Sequence, residues 1–137
     1  GKWVEIKEFN LKPELLNYLK QKAKEPFDIE TNNCIQFTNH CWKIYHGHYW
    51  GEEYMNISSF EDTDFSDPLQ GADKYLERAE KPQEGHLVAI KVLGDTYLHG
   101  LATGFCVGDL SVFLNTKGVR YLPTKAVSYS WRNRYDI

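Results

Sequence analysis

The sequence predicts an α+β fold, in which N-terminal helices pack on an antiparallel sheet formed by the second half of the chain. Two observations favour this class. Apolar residues recur at helical spacing in the first half, and short apolar runs separated by glycine turns follow them. Helices first and an antiparallel sheet afterwards is typical of α+β domains. The chain has 137 residues, 42% of them hydrophobic, and no repeat or linker, so a single domain over residues 1–137 is predicted.

The first helix is predicted to begin at Pro13, because proline fits the first turn of a helix. Leu15, Leu16, Leu19 and Ala23 follow at helical spacing, and Pro26 closes the segment.

The second helix is predicted to start after Thr31-Asn32-Asn33, whose side chains are good N-caps, and to stop at Gly47. One stripe of this helix is expected to face the core, and its members are Cys34, Phe37, Thr38, Cys41, Trp42 and Tyr45.

The third helix is predicted to begin near Ser66-Asp67-Pro68, where a capping residue precedes a proline. Its apolar positions are Leu69, Ala72, Tyr75, Leu76 and Ala79.

The strands of the second half form a predicted meander. A turn at Pro82 and Gly85 precedes the apolar run 86–93, and a hairpin segment ends with the sequence GFCVG. Further strands are predicted over 110–115 and 119–123, with 127–131 as the last. The expected turns between strands are at Gly94-Asp95, Gly108-Asp109 and Lys117-Gly118.

Charge and composition exclude several classes of protein. The net charge is −3 and no basic run exists, so nucleic acid is not expected as a partner. No apolar stretch approaches the ~20 residues that span a bilayer, and the polar N-terminal GKWVEIKEFN does not resemble a signal peptide. The three cysteines are an odd count, which favours reduced thiols over a set of disulfides.

Cys34 is the sharpest candidate for chemistry. A thiol in the first turn of a helix faces unsatisfied N–H groups and the positive end of the helix dipole, which stabilise a thiolate. Such a cysteine acts as a nucleophile when a histidine lies nearby as a base. The alternative is that Cys34 is a small core residue on an apolar helix face.

Three segments carry a resemblance to the NlpC/P60 class of papain-like cysteine hydrolases: Asn33-Cys34-Ile35-Gln36-Phe37, Gly85-His86-Leu87-Val88 and the run 102–108. The layout over residues 11–132, with its closing Trp131-Arg132, is similar to the small phage and prophage tail-module branch of that class. The resemblance implies a papain-like fold without a cofactor. It also implies a hydrolase acting on peptidoglycan peptides or similar amides, located in a phage tail, in the bacterial envelope or in the cytoplasm.

The resemblance also implies a catalytic site, and the chain departs from it. The position of the catalytic histidine is occupied by Ala102, which cannot accept a proton. The third polar position falls at Leu114 or Asn115, and Asn115 has the chemistry to orient a histidine. The nearest candidate base is His99, three residues before Ala102, although an odd offset in a strand moves a side chain to the opposite face. The predicted site is therefore Cys34, His99 and Asn115, with His86 as a second candidate base.

Two further groups of polar residues are predicted not to bind metal. In the first, His40, Cys41, His46 and His48, two members are adjacent and point about 100° apart on a helix. The second is the acidic stretch Glu52, Glu53, Glu61, Asp62, Asp64 and Asp67, which lacks the pattern of a calcium loop.

Two classes of function are consistent with the sequence, a hydrolase and a non-catalytic module, and an acyl- or amidotransferase that uses Cys34 would share the chemistry of the first. A hydrolase requires an accessible Cys34 with an imidazole within about 4 Å. A non-catalytic structural module of a phage tail tip, which binds other tail or envelope proteins, predicts a buried and unreactive Cys34.

Overall fold

A computed structural model describes residues 12–25, 33–56, 68–91, 101–115 and 118–134. Within these ranges the helices are α1 (Pro13–Lys22), α2 (Cys34–His46) and α3 (Pro68–Tyr75), with 3-10 turns at Glu52–Asn56 and Thr124–Ala126. The strands are β1 (Glu77–Arg78), β2 (Leu87–Lys91), β3 (Leu101–Cys106), β4 (Leu110–Asn115), β5 (Gly118–Pro123) and β6 (Tyr129–Arg132). The predicted α+β class is confirmed.

The six strands form one antiparallel sheet in the order β1-β6-β2-β3-β4-β5. Strands β2 to β5 are the predicted meander. Strand β6 does not continue the meander beside β5, because it returns to lie between β1 and β2. The last strand of the chain is therefore interior to the sheet.

The predicted strand bounds agree closely with the structure. Strand β4 has the predicted bounds, and Gly108 has a φ of 124° in the turn before it, a conformation that favours glycine. Strand β6 begins two residues later than predicted, because the 3-10 turn occupies the residues before it. Ser128, next to the strand, donates its N–H to the Ala89 carbonyl of β2. The predicted turn at Gly94-Asp95 lies outside the described residues.

The third helix is shorter than predicted. It was expected to continue through Ala79, but α3 ends at Tyr75 and β1 follows it. The Ala79 N–H donates to the Ser130 carbonyl at 2.9 Å, and both residues of β1 pair with β6. Pairing with the edge of the sheet thus replaces the last predicted helical turn.

The sheet has a buried cluster on each face. On the face covered by α2, the clustered sheet residues include Leu87, Ala89, Phe105, Val112 and Leu114. On the other face, Val88, Cys106 and Phe113 are buried, with Ile90, Ala102, Leu122 and Val127 packed against them. Because side chains alternate along a strand, neighbouring residues of β3 and β4 belong to different clusters.

Candidate functional site

Cys34 is the first residue of α2, and the start of this helix is held by reciprocal hydrogen bonds. The Asn33 side chain accepts from the Gln36 N–H at 2.9 Å, and the Gln36 side chain accepts from the Asn33 N–H at 3.3 Å. This arrangement is a capping box. It fixes the Cys34 thiol at the positive end of the helix dipole, as predicted.

The surroundings of Cys34 are closed. Its side chain is 2% exposed, and the neighbouring Asn33 and Ile35 are fully buried. The Gln36 side chain also donates to the Met55 carbonyl at 3.1 Å, which ties the following 3-10 turn to the start of α2. A substrate can reach the thiol only if these surroundings open.

The C-terminal half of α2 lies against the end of β3. The Phe105 ring lies 6.4 Å from the Trp42 ring and 5.8 Å from the Tyr45 ring, and His46 Nε2 lies 2.7 Å from the Gly85 carbonyl oxygen. The start of α2 is about 12 Å from Trp42 at 1.5 Å per residue. Cys34 is therefore at the opposite end of the helix from these contacts.

The aligned base position, Ala102, lies on the face of β3 that points away from α2. Ala102 packs in the cluster on the far face of the sheet, whereas Phe105 belongs to the α2 side. Thr103 has the same alternation as Phe105 and is 1% exposed, and in the described part of the chain its hydroxyl has no hydrogen-bond partner. A side chain at position 102 therefore points away from the layer that contains Cys34, whatever its chemistry.

The structure describes little of the other two predicted site residues, His99 and Asn115. His99 lies outside the described residues. Asn115 is the last residue of β4 and pairs with Gly118. Both residues stay predictions.

His86, the second candidate base, follows Gly85, whose carbonyl contacts His46 at the opposite end of α2 from Cys34. It immediately precedes β2, and its carbonyl accepts the N–H of Cys106 at the end of β3. Its Nδ1 accepts from the Gln83 N–H at 3.2 Å, within the turn before the strand. The geometry does not favour His86 as a base for Cys34.

His40, Cys41, His46 and His48 lie on and just after α2. Among the residues that the structure describes, no group of three or more His, Cys, Asp or Glu side chains is arranged to hold a metal ion. Cys41 is fully buried, and this burial raises the pKa of its thiol far above the ordinary value. His46 is bonded to the Gly85 carbonyl, and His48 to its neighbour Tyr49. Most of the acidic stretch lies outside the described ranges.

Sequence reasoning missed part of the buried polar network around α2. The Asn39 side chain donates to the Ile35 carbonyl at 3.2 Å and accepts from the Gly51 N–H at 2.8 Å. Thr38, placed correctly on the apolar stripe, accepts from the Trp50 indole at 3.2 Å. No local sequence pattern identifies Asn39 as a buried acceptor, because its partner, the Gly51 N–H, lies in the irregular connection after α2.

Comparisons with protein-family models, with curated proteins and with solved structures gave no match. Among the described residues, none of the helices is both long and apolar enough to cross a membrane.

Proposed function

We propose that this chain is an NlpC/P60-type cysteine hydrolase domain with a papain-like fold, acting on amide bonds of peptidoglycan-type peptides in a phage tail or bacterial envelope. One observation carries the proposal. The capping box holds the Cys34 thiol at the positive end of α2. A nucleophilic cysteine commonly occupies such a position at a helix start.

His99 is the proposed base. The Ala102 side chain packs on the face of the sheet away from α2, so this position does not supply a base to Cys34. His99 lies outside the described residues and is proposed from the sequence, as the histidine nearest to the aligned position.

The proposed reaction is acyl transfer to water. The imidazole of His99 takes the thiol proton, and the Cys34 thiolate attacks the amide carbonyl carbon. Backbone N–H groups near the start of α2 stabilise the oxyanion. The amine leaves with the proton from the imidazole, and a water molecule then hydrolyses the thioester and restores the thiol. Asn115 is proposed to orient the imidazole, as the resemblance implies.

A second function is favoured by one specific observation. Cys34 is 2% exposed, as expected for a structural module of a phage tail tip that keeps the fold without the chemistry. The two functions differ in whether the thiol reacts in the folded protein.

The test is the rate of Cys34 alkylation by iodoacetamide as a function of pH, separated by peptide mapping from Cys41 and Cys106. The hydrolase predicts rapid reaction well below the reference pKa of about 8.5 for a thiol. His99→Ala should abolish this reactivity, and His86→Ala, the matched control, should retain it. Release of new amino groups from purified peptidoglycan should be lost in Cys34→Ser.

Equal rates in the two histidine variants would remove His99 from the site. A Cys34 that reacts only after unfolding would favour the structural module.

A further inference from the structure

Three hydrogen bonds of 2.8 to 3.2 Å join α2 to the connection that follows it, residues 47–56. The pairs are Gln36 with Met55, Thr38 with Trp50 and Asn39 with Gly51. Polar contacts thus link the helix to its own connection, and we call the two together, residues 34–56, the α2 unit.

The middle of α2 meets the sheet through apolar packing. Its Phe37, Cys41 and Trp42 are buried in one cluster with Ala89 of β2 and Phe105 of β3. Packing of this kind has no direction, so it does not fix the helix to the strands as hydrogen bonds would.

The end of α2 has polar contacts with other parts of the chain. His46 Nε2 lies 2.7 Å from the Gly85 carbonyl oxygen, and Lys12 Nζ donates to the Tyr45 carbonyl at 3.0 Å. This end of the helix is therefore anchored, while its middle lies on the sheet by packing.

Two buried polar atoms of this interface have no hydrogen-bond partner among the described residues. They are the indole N–H of Trp42, on α2, and the hydroxyl of Thr103, on the face of β3 that also carries Phe105. Trp42 is fully buried and Thr103 is 1% exposed. A polar group that loses its hydration without gaining a hydrogen bond destabilises the closed interface, by a factor of about ten or more in the equilibrium constant.

We propose that the α2 unit separates from β2 and β3 in a local, reversible opening of the folded protein, and that this opening exposes Cys34 and Cys41. Water then pairs with the Thr103 hydroxyl and the Trp42 indole, which offsets part of the cost of exposing the apolar faces. The strands stay paired with one another, so Cys106 remains buried on the far face of the sheet. The opening would give the proposed hydrolase access to its thiol, and this role rests on the proposed function.

The three cysteines report the opening by their rates of alkylation with iodoacetamide, separated by peptide mapping. Each rate is divided by the rate of the same cysteine in the urea-unfolded chain. Cys41 is outside the proposed chemistry and reports only its exposure. We expect Cys41 to react about tenfold faster than Cys106 or more, because local opening costs less than global unfolding. The Cys41 rate should depend little on low concentrations of urea, since the opening exposes little surface.

Two threonine variants test the cause of the opening. Thr103→Val removes the unpaired hydroxyl from the closed interface and should slow alkylation of Cys41 about tenfold. Thr124→Val is the matched control, because the Thr124 hydroxyl is also buried but donates to the Gly108 carbonyl at 2.7 Å beside Cys106. It should speed alkylation of Cys106 and leave Cys41 unchanged, because this threonine does not belong to the α2 unit.

Two outcomes would overturn the proposal. The first is equal normalised rates for Cys41 and Cys106 with the same dependence on urea, which would mean that both thiols react only through global unfolding. The second is a Cys41 rate that Thr103→Val leaves unchanged or raises. Failure of the hydrolase would look different, since a Cys34 without activation at low pH leaves the ratio of the Cys41 and Cys106 rates as it is.

Discussion

The carboxylate of Asp73 joins three parts of the molecule. It lies on α3, accepts two hydrogen bonds from Arg78 of β1 at 2.8 and 3.0 Å, and accepts one from the indole of Trp131 of β6 at 2.8 Å. The Arg78 guanidinium also lies over the rings of Tyr129 and Trp131. Partial burial opposes ionisation, but the hydrogen bonds from Arg78 and Trp131 outweigh it and hold the pKa of Asp73 below its usual value.

Replacement of this carboxylate tests its contribution to stability. We expect Asp73→Asn to lower the free energy of unfolding by about 1 kcal/mol at pH 7, limited by the exposure of the side chain to solvent. Because the folded pKa is lowered, the contribution is complete above the unfolded pKa of about 3.9 and declines as the pH falls through the folded pKa. Urea unfolding of both proteins at several pH values measures it.

The matched control is Glu77→Gln, which breaks the ion pair of Glu77 with Arg132 at the same edge of the sheet. We expect Glu77→Gln to lower the free energy of unfolding by less, within about 0.5 kcal/mol. An equal loss of unfolding free energy in both variants would mean that the position of Asp73 between α3, β1 and β6 adds no stability beyond that of a surface ion pair.

At the scale of elements, α2 is buried more widely than its apolar stripe predicts. The predicted stripe includes Cys34, Phe37 and Trp42, and the structure buries them. Ile35 and Asn39 are also fully buried, because the connection after the helix covers a second side of it. A helix enclosed on two sides depends on complete hydrogen bonding at its start, since water cannot replace a missing partner there.

Loss of the cap should therefore cost more than it does on an exposed helix. We expect Asn33→Ala to lower the free energy of unfolding by about 2 kcal/mol, the upper end of the range for N-caps, because the Gln36 N–H loses its partner in a buried site. Chemical denaturation measures this. The same variant should speed alkylation of Cys34 in the folded protein, because the first turn of α2 loosens. Asn33→Asp, which keeps an acceptor at this position, is the control and should retain most of the stability. Unchanged stability in Asn33→Ala would show that the capping box is dispensable.

At the scale of the whole molecule, the C-terminal strand holds the sheet together. Strand β6 pairs with β1 on one side and β2 on the other, and its Trp131 is fully buried. The Ser130 hydroxyl also donates to the Ala79 carbonyl at 3.1 Å. Strand β6 thus joins β1, which follows α3, to the meander at β2.

Truncation tests this requirement. A chain that ends at Ser128 should fail to fold, because it loses an interior strand and the burial of a tryptophan worth about 3–5 kcal/mol, a large part of a typical domain stability of about 5–15 kcal/mol. A chain that ends at Arg134 keeps every residue of β6 and should fold. The dispersion of amide signals in NMR spectra distinguishes the two outcomes. Native-like dispersion in the shorter chain would show that β6 is peripheral.

Much of the fold was predictable from local pattern. The start and stop of α2 and the bounds of β4 follow from neighbouring residues, because capping, glycine turns and two-residue alternation are local effects. The position of Cys34 at a helix start belongs to the same group. The end of α3 was not predictable, because pairing of β1 with β6 joins residues more than fifty positions apart.

The remaining features depend on long-range packing. Three of them are determined by which elements lie against one another. They are the face of the sheet that Ala102 occupies, the closure around Cys34 and the return of β6 to the interior of the sheet. A one-residue change of register exchanges the two faces of a strand, so short motifs do not determine which residues of β3 face α2. The sequence determines that a thiol stands in the first turn of α2, and the packing of α2 on β3 and β4 determines which side chains surround that helix.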